Sequence, residues 1–182
     1  NVFIASAQLQ KLQEIYPDAA KKEMEKYMSI RRESFNLLRR HPGGLRSAPF
    51  IDDIIVRPEF LEEFLPKLKE IFSQYPDLVY TIAGHAGDGN FHIIPLMNLK
   101  SEKDRQIILE LSKKVYDLVF RYGGSMTAEH NDGIIRTPFL EQMYGKKVVE
   151  LFLQTKQIFD QNNRFNPGKK VLGTKEYLLS HI

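Results

Sequence analysis

The 182-residue sequence contains no cysteine, no long apolar run and no strong excess of either charge. Without cysteine there are no disulfides, no thiolate zinc sites and no iron–sulfur cluster held by this segment, which leaves histidine and carboxylate as metal ligands. A reducing cytosol fits that composition. A bilayer-spanning helix needs ~20 consecutive apolar residues, and no stretch approaches this; no signal peptide opens the chain. The chain begins at Asn1 rather than Met, which points to processing or a cut. The net charge is +3, and the doublets Arg31-Arg32, Arg39-Arg40, Lys113-Lys114, Lys146-Lys147 and Lys169-Lys170 are interleaved with acids. They read as solvated helix faces. With no basic stripe and no stacking aromatics along it, nucleic acid is not an expected partner. An anionic small substrate could still use one or two arginines. There is no internal repeat and no low-complexity segment. Length and 42% hydrophobic content suit one soluble domain with a helical extension.

The pattern of apolar residues supplies the elements. From Pro17 to Arg40 the chain reads as a helix, with Asp18 as cap and Met24, Tyr27, Met28, Phe35 and Leu38 on one face. His41-Pro42-Gly43-Gly44 stops it. Ile51 to Val56 reads as a strand. Pro58 opens a helix carrying Phe60, Phe64, Leu68, Ile71 and Phe72, in which Pro66 can introduce a kink. Two strands, Leu78–Ala83 and Phe91–Met97, flank the loop Gly84–Asn90. Ser101 caps a further helix with Ile107, Ile108, Leu111, Val115, Leu118, Val119 and Tyr122 on its buried side. A short strand to about Ala128 follows Gly123-Gly124, and Pro138–Phe159 reads as a last long helix, with a break at Asn166-Pro167-Gly168. The expected fold is α+β: a ferredoxin-like split βαβ antiparallel sheet with flanking helices and additional N- and C-terminal helices. Strand order 4-1-3-2, with the first and third strands parallel, places the end of strand two, the start of strand three and the end of strand four at one edge. Those points are His85, His92 and Glu129.

Two histidines and a carboxylate on glycine-rich bends suit zinc, manganese or iron and leave coordination positions open. Glycine permits close backbone approach, and Gly84, Gly87, Gly89, Gly123 and Gly124 lie beside these groups. Asp88 and Asn90 are expected to fix the loop by side-chain to backbone hydrogen bonds. The glycine spacing is not a dinucleotide fingerprint, because a strand follows it, and no Walker loop is present. The residues alone leave open a metal-dependent hydrolase, or a non-catalytic ferredoxin-like ligand- or partner-binding module.

Gly84-His85-Ala86-Gly87-Asp88-Gly89-Asn90-Phe91-His92 resembles the GHxGDGNxH motif in the C-terminal domain of FAD-linked 2-hydroxy-acid oxidoreductases, flavoproteins of the vanillyl-alcohol-oxidase type. That group includes glycolate oxidase, D-lactate dehydrogenase and D-2-hydroxyglutarate dehydrogenase. Ala128–Gly133 resembles the family's Glu-His motif, and Phe159–Lys169 its closing Asn-Pro-Gly-Lys segment. Ile51–Val56 is similar to the strand that opens the cap domain. Arg136-Thr137-Pro138-Phe139-Leu140 leans towards large members carrying an iron–sulfur region. The likeness runs from about Arg31 to Lys170.

The resemblance implies that His85, His92 and Glu129 hold a divalent metal and that His130 is the catalytic base. It also implies that Arg31, with Arg32 beside it, grips the substrate carboxylate, and that Asn166 and Lys169 face the flavin. FAD would be held mainly by an N-terminal domain that nothing in this chain resembles, so the chain looks like a substrate domain of a longer enzyme. The implied divisions are an N-terminal helical segment over residues 1–48 and the oxidase C-terminal domain over 49–182. Within the latter, the ferredoxin-like core spans about 50–130 and a helical part 137–182. The implied partners are a small anionic 2-hydroxy acid, the FAD-binding domain, and an iron–sulfur region or other electron acceptor. The expected location is the cytoplasm, with the membrane periphery as the alternative. Two departures stand out: Ala128 and Asn131 occupy positions that are glycine in the family. A lysine that some members place before the cap strand has no match.

Overall fold

The computed structural model describes residues 14, 17–39 and 44–182, with the side chains of residues 19, 20, 31 and 34–39 outside that description. Helix α1 spans Pro17–Arg39, with Asp18 inside its first turn rather than ahead of it. Met24, Tyr27 and Met28 are its half-buried positions, as their spacing predicts; Phe35 and Leu38 lie outside the described side chains. The four-stranded sheet is built around β4 (Asn90–Met97). On one side β3 (Val79–His85) pairs along its full length, Val79 opposite Leu96 and His85 opposite Asn90. On the other side lie two short pieces in line, β1 (Arg46–Ser47) and β2 (Ile54–Ile55), both antiparallel to β4. An antiparallel bridge joins Ile55 to Ser125, each amide donating to the other's carbonyl at 2.9 Å.

The sheet is the expected antiparallel α+β arrangement, in the order Ser125 segment, β2, β4, β3. Its strand polarity corrects the sequence reading, which ran the first and third strands parallel. Here β2 is antiparallel to β4. A helical crossover joins parallel strands, so β2 and β3 run together with β4 inserted between them. By the same rule the Ser125 segment runs with β4. Its beginning, not its end, therefore sits beside Asn90. Glu129 stays near that edge because the fourth strand is reduced to a single bridge. Locally, the Ser125 hydroxyl donates to the Thr127 carbonyl at 2.5 Å and accepts from the Thr127 amide at 3.1 Å. Such local bonds compete with a β ladder. The predicted strand from Ile51 is shortened for a related reason: Asp53 turns to φ 71° and leaves the ladder.

Helix α2 (Leu61–Ser73) follows the short 3₁₀ turn Pro58–Phe60 and continues through Pro66. Phe64, Leu68 and Phe72, spaced by four, are its buried stripe. Helix α3 (Glu102–Arg121) begins where Ser101 accepts from the Asp104 amide at 3.4 Å, as expected of a cap. Ile108, Leu111, Val115, Leu118 and Val119 join Phe64, Leu68, Phe91 and Ile93 in one core. The expected helix Pro138–Phe159 is interrupted. The chain forms α4 (Gly133–Arg136), a 3₁₀ turn Thr137–Phe139, α5 (Leu140–Tyr144) and α6 (Lys146–Phe159). Gly145, at φ 79° and ψ 157°, separates the last two. A final helix α7 (Lys175–Ser180), within the expected helical part 137–182 but given no bounds by the sequence, starts where Thr174 accepts from the Tyr177 amide.

Alternation along β4 puts Phe91 and Ile93 on the helix-covered face and His92 on the opposite one. The bend between β3 and β4 depends on two glycines. At Gly84 a Cβ would lie 2.2 Å from the Asn90 carbonyl oxygen, and at Gly89, φ 72°, 1.8 Å from that of Val56. A side chain at Gly84 would push β3 off β4, and one at Gly89 would push the hairpin off the backbone that follows β2.

Beyond α6, Asp160 ties the turn that follows. Lys156 donates to it at 2.5 Å, and the Arg164 and Phe165 amides donate at 2.9 and 2.8 Å. Lys156 and these amides hold its carboxyl down to about 2. A carboxyl depressed by folding contributes stability above its ordinary value, ~3.9, and loses that contribution as pH falls through its folded value. Asp160→Asn should therefore lower Tm at neutral pH, with the gap to wild type closing between about pH 4 and 2. A gap of constant size across that range, measured by circular dichroism melts, would refute this.

Candidate metal centre

Four side chains that the sequence singled out meet at the end of the sheet face that points away from the main core. His92 projects from β4 and His85 ends β3; Glu129 and His130 come from the irregular segment after Ser125. One carboxylate oxygen is the hub. Glu129 Oε1 lies 3.0 Å from His92 Nε2, 3.4 Å from His85 Nε2 and 3.6 Å from His130 Nε2. The His92 ring centroid is 5.6 Å from that of His85 and 5.3 Å from that of His130.

The second nitrogen of His92 decides what this crowding can do. Its Nδ1 lies 2.9 Å from Asp52 Oδ1, with the two side chains only 16% and 18% exposed. A carboxylate is an acceptor only, so Nδ1 carries the proton. In the neutral ring the Nε2 lone pair then faces Glu129 Oε1 at 3.0 Å, lone pair against lone pair. That contact is repulsive unless the ring is doubly protonated or a cation lies in the cluster. A carboxylate–histidine pair with its free nitrogen aimed at other ligands is the arrangement that orients metal-binding imidazoles. The donor set therefore suits a divalent ion: the ligand atoms of Asp53, His92, Glu129 and His130 lie within 4.8 Å of one another, and His85 Nε2 approaches Glu129 Oε1 from the other side of the hairpin's end at 3.4 Å. Glu129 and His130 are 48% and 54% exposed, which leaves one side open for a further ligand.

Asp53 builds the loop that carries Glu129 and His130. Its carboxylate is buried and accepts from the amides of Ala128 at 2.8 Å, Glu129 at 3.1 Å and His130 at 2.9 Å. The Thr127 hydroxyl and the Asn90 amide nitrogen donate at 3.2 Å each. Burial pushes this carboxyl up, but the His130, Ala128 and Glu129 amides and the Arg136 charge outweigh it, so it sits below the usual aspartate range. Asp53 lies within 4.8 Å of the ligand atoms of His92, Glu129 and His130. Both its oxygens are occupied by these donors, so it serves as the scaffold of the loop. Asn90 also donates to the Ile54 carbonyl at 3.2 Å, the loop-fixing role its sequence position implies. Asn131 takes the positive φ, 62°, that its replacement of glycine implies.

The remaining candidates lie elsewhere. The Arg31 side chain is outside the described residues, and Arg32 is exposed on α1. Asn166 is exposed at φ 48°, and its carbonyl accepts from the half-buried Lys169 at 3.2 Å. Among the described residues no hydrogen bond or ion pair ties Arg32, Asn166 or Lys169 to the histidines. Lys170 instead reaches Asn131 Oδ1 at 3.2 Å and the Asp132 carboxylate. Asp52 and Asp53 are the site residues that sequence reasoning missed, having been read as strand. Two adjacent acids inside a β-branched run were the available signal, since alternation must turn one of them inward.

The family model describing FAD linked oxidases, C-terminal domain, matches residues 5–170. The chain belongs to this family. A D-2-hydroxyglutarate dehydrogenase of Haemophilus influenzae is 29% identical over 80% of this chain and 14% of its own length. A D-lactate dehydrogenase of Archaeoglobus fulgidus is 30% identical over 87% of the chain and 33% of its own length. A glycolate oxidase subunit of Bacillus subtilis is 26% identical over 69% of the chain and 26% of its own length. The chain thus spans a third or less of each of these relatives.

Asp53→Asn should keep the turn, since asparagine tolerates positive φ, but it puts an amide group against amide donors. Hydrogen bonds to a charged group are worth ~1.5–3 kcal/mol, so the expected loss is about 2–4 kcal/mol in urea unfolding. A loss below ~1 kcal/mol would show that the loop does not depend on this carboxylate.

Proposed function

We propose that this chain is the substrate-side, metal-binding domain of a flavin-dependent dehydrogenase that oxidises a D-2-hydroxy acid to the 2-oxo acid. The observation that carries the reading is the convergence of three imidazole nitrogens on Glu129 Oε1 above an open face. The names of the relatives, which span D-2-hydroxyglutarate, D-lactate and glycolate, support the substrate class.

In this reading His85, His92 and Glu129 hold a zinc, manganese or iron ion. Such an ion supplies Lewis acidity towards a substrate hydroxyl, and FAD on a separate domain supplies the hydride acceptor. His92, locked by Asp52, and His85, locked by the β3–β4 register, orient the substrate. His130 is the base that takes the hydroxyl proton at Nε2; it is exposed and joined to the cluster through Glu129. Arg31 and Arg32 bind the substrate carboxylate. Asn166 and Lys169 face the flavin from the turn after α6. An iron–sulfur region or another electron acceptor would be the further partner of the full-length enzyme. The proposed location is the cytoplasm; no helix among the described residues is long and apolar enough to cross a membrane.

The first test is elemental analysis of the purified chain beside a His85→Ala/His92→Ala variant. Near-stoichiometric zinc, manganese or iron, absent from the variant, is the expected result. No metal in either protein after incubation with all three ions would defeat the reading. Hydrolysis of carboxylate or phosphate esters by the loaded chain would move it to a metal hydrolase. In the full-length flavoprotein, His130→Ala should lower kcat by roughly 10²–10⁴ with metal content unchanged. Normal turnover in that variant would remove His130 as the base.

A further inference from the structure

Arg136 is a buried cation with an unusual set of partners. It is 7% exposed at the end of α4 and, among the described residues, pairs head-on with no carboxylate. Its Nη1 donates to the Asn131 carbonyl and its Nη2 to the Asp52 carbonyl, each at 2.6 Å, while Nε has no partner among the described residues. An arginine kept for charge balance would turn its fork onto an acid. This one is directed at two backbone oxygens from segments far apart in sequence, with the buried Tyr116 hydroxyl beside it. Both carbonyls adjoin the metal centre: Asp52 is the residue whose carboxylate holds His92 Nδ1, and Asn131 directly follows Glu129 and His130.

We infer that Arg136 is a positioning residue, a rigid brace that sets the distance between the segment orienting His92 and the loop presenting Glu129 and His130. The inference rests on the metal-centre reading above. The guanidinium suits the role because its donors are fixed in one plane, so two carbonyls bound to its two ends cannot rotate or separate independently. Its charge also lies beside the buried Asp53 carboxylate, which grips the same loop from its amide side. Asp53 holds the amides of residues 128–130 and Arg136 the carbonyl of Asn131, so donors and acceptors of the loop are fixed from opposite ends of one charged pair. Lysine would keep the charge but place it on a single nitrogen with no fork.

The test compares the wild-type chain with Arg136→Lys in three readouts. These are Tm, the long-range ¹H–¹⁵N signals of the histidine rings in the metal-free protein, and affinity for cobalt(II). The expected result is a folded variant whose His92 ring loses the Nδ1-protonated signature, with cobalt affinity down about 10–100-fold, the usual consequence of losing an outer-shell partner. Wild-type ring signals and wild-type cobalt affinity in the variant would overturn the proposal, whatever its Tm. If the lysine variant does not fold, Arg136→Gln, planar and uncharged, is read in the same way. Loss of fold in both would overturn positioning in favour of a purely structural role. Should the wild-type chain bind no cobalt, the metal reading falls, and the His92 ring signals alone decide the role of Arg136.

Discussion

The site rests on one buried carboxylate. Asp53 collects the amides of Ala128, Glu129 and His130, the Thr127 hydroxyl and the side chain of Asn90. These donors come from the last sheet segment and from the start of β4, so a single group joins the two halves of the candidate metal centre. The cost of burying the charge is met by the number and directness of its donors, the condition under which a buried anion stabilises a fold. A loop between two elements ordinarily gives its amides to water. Here three consecutive amides are turned inward, and the side chains of Glu129 and His130 reach His92.

This arrangement explains why the site forms although the fourth strand barely exists. A full strand would run on beside β2, with its side chains alternating between the faces. Consecutive residues 129 and 130 could not then both reach His92. Ending the ladder at Ser125 frees the chain to wrap the Asp53 carboxylate, and Glu129 and His130 emerge together. The loss of regular structure is what allows adjacent residues to share a centre.

Much of this was readable from the sequence where it depends on local pattern. The apolar stripes of α2 and α3 recur at helical spacing, Ser101 is a capping residue in front of one of them, and Gly84 to His92 announces a tight bend carrying two ligands. What escaped depends on longer-range physics. Strand polarity follows from how crossovers close the sheet, and assigning it wrongly placed the end of the fourth strand at the edge where its beginning lies. Gly145 reads as a tolerable glycine inside an apolar stripe until its positive φ divides the helix. Asp52 and Asp53 look like a polar interruption in a strand, because nothing local says that one will hold a histidine and the other a loop.

The candidate ligands also divide by what holds them. His85 and His92 take their positions from the register of β3 and β4, Ala83 opposite His92 and His85 opposite Asn90, and behind that register stands the whole core. Glu129 and His130 take theirs from one carboxylate and from the guanidinium that ties the following carbonyl. Disturbing the core should therefore move all four groups together, whereas disturbing Asp53 should move chiefly the last two, and disturbing Arg136 reaches His92 as well, through Asp52. A centre built this way has one half fixed by the register of the sheet and one half fixed by two buried charges. The group read as the proton acceptor lies in the second half, so its placement depends on a few polar contacts where that of His85 and His92 depends on the core.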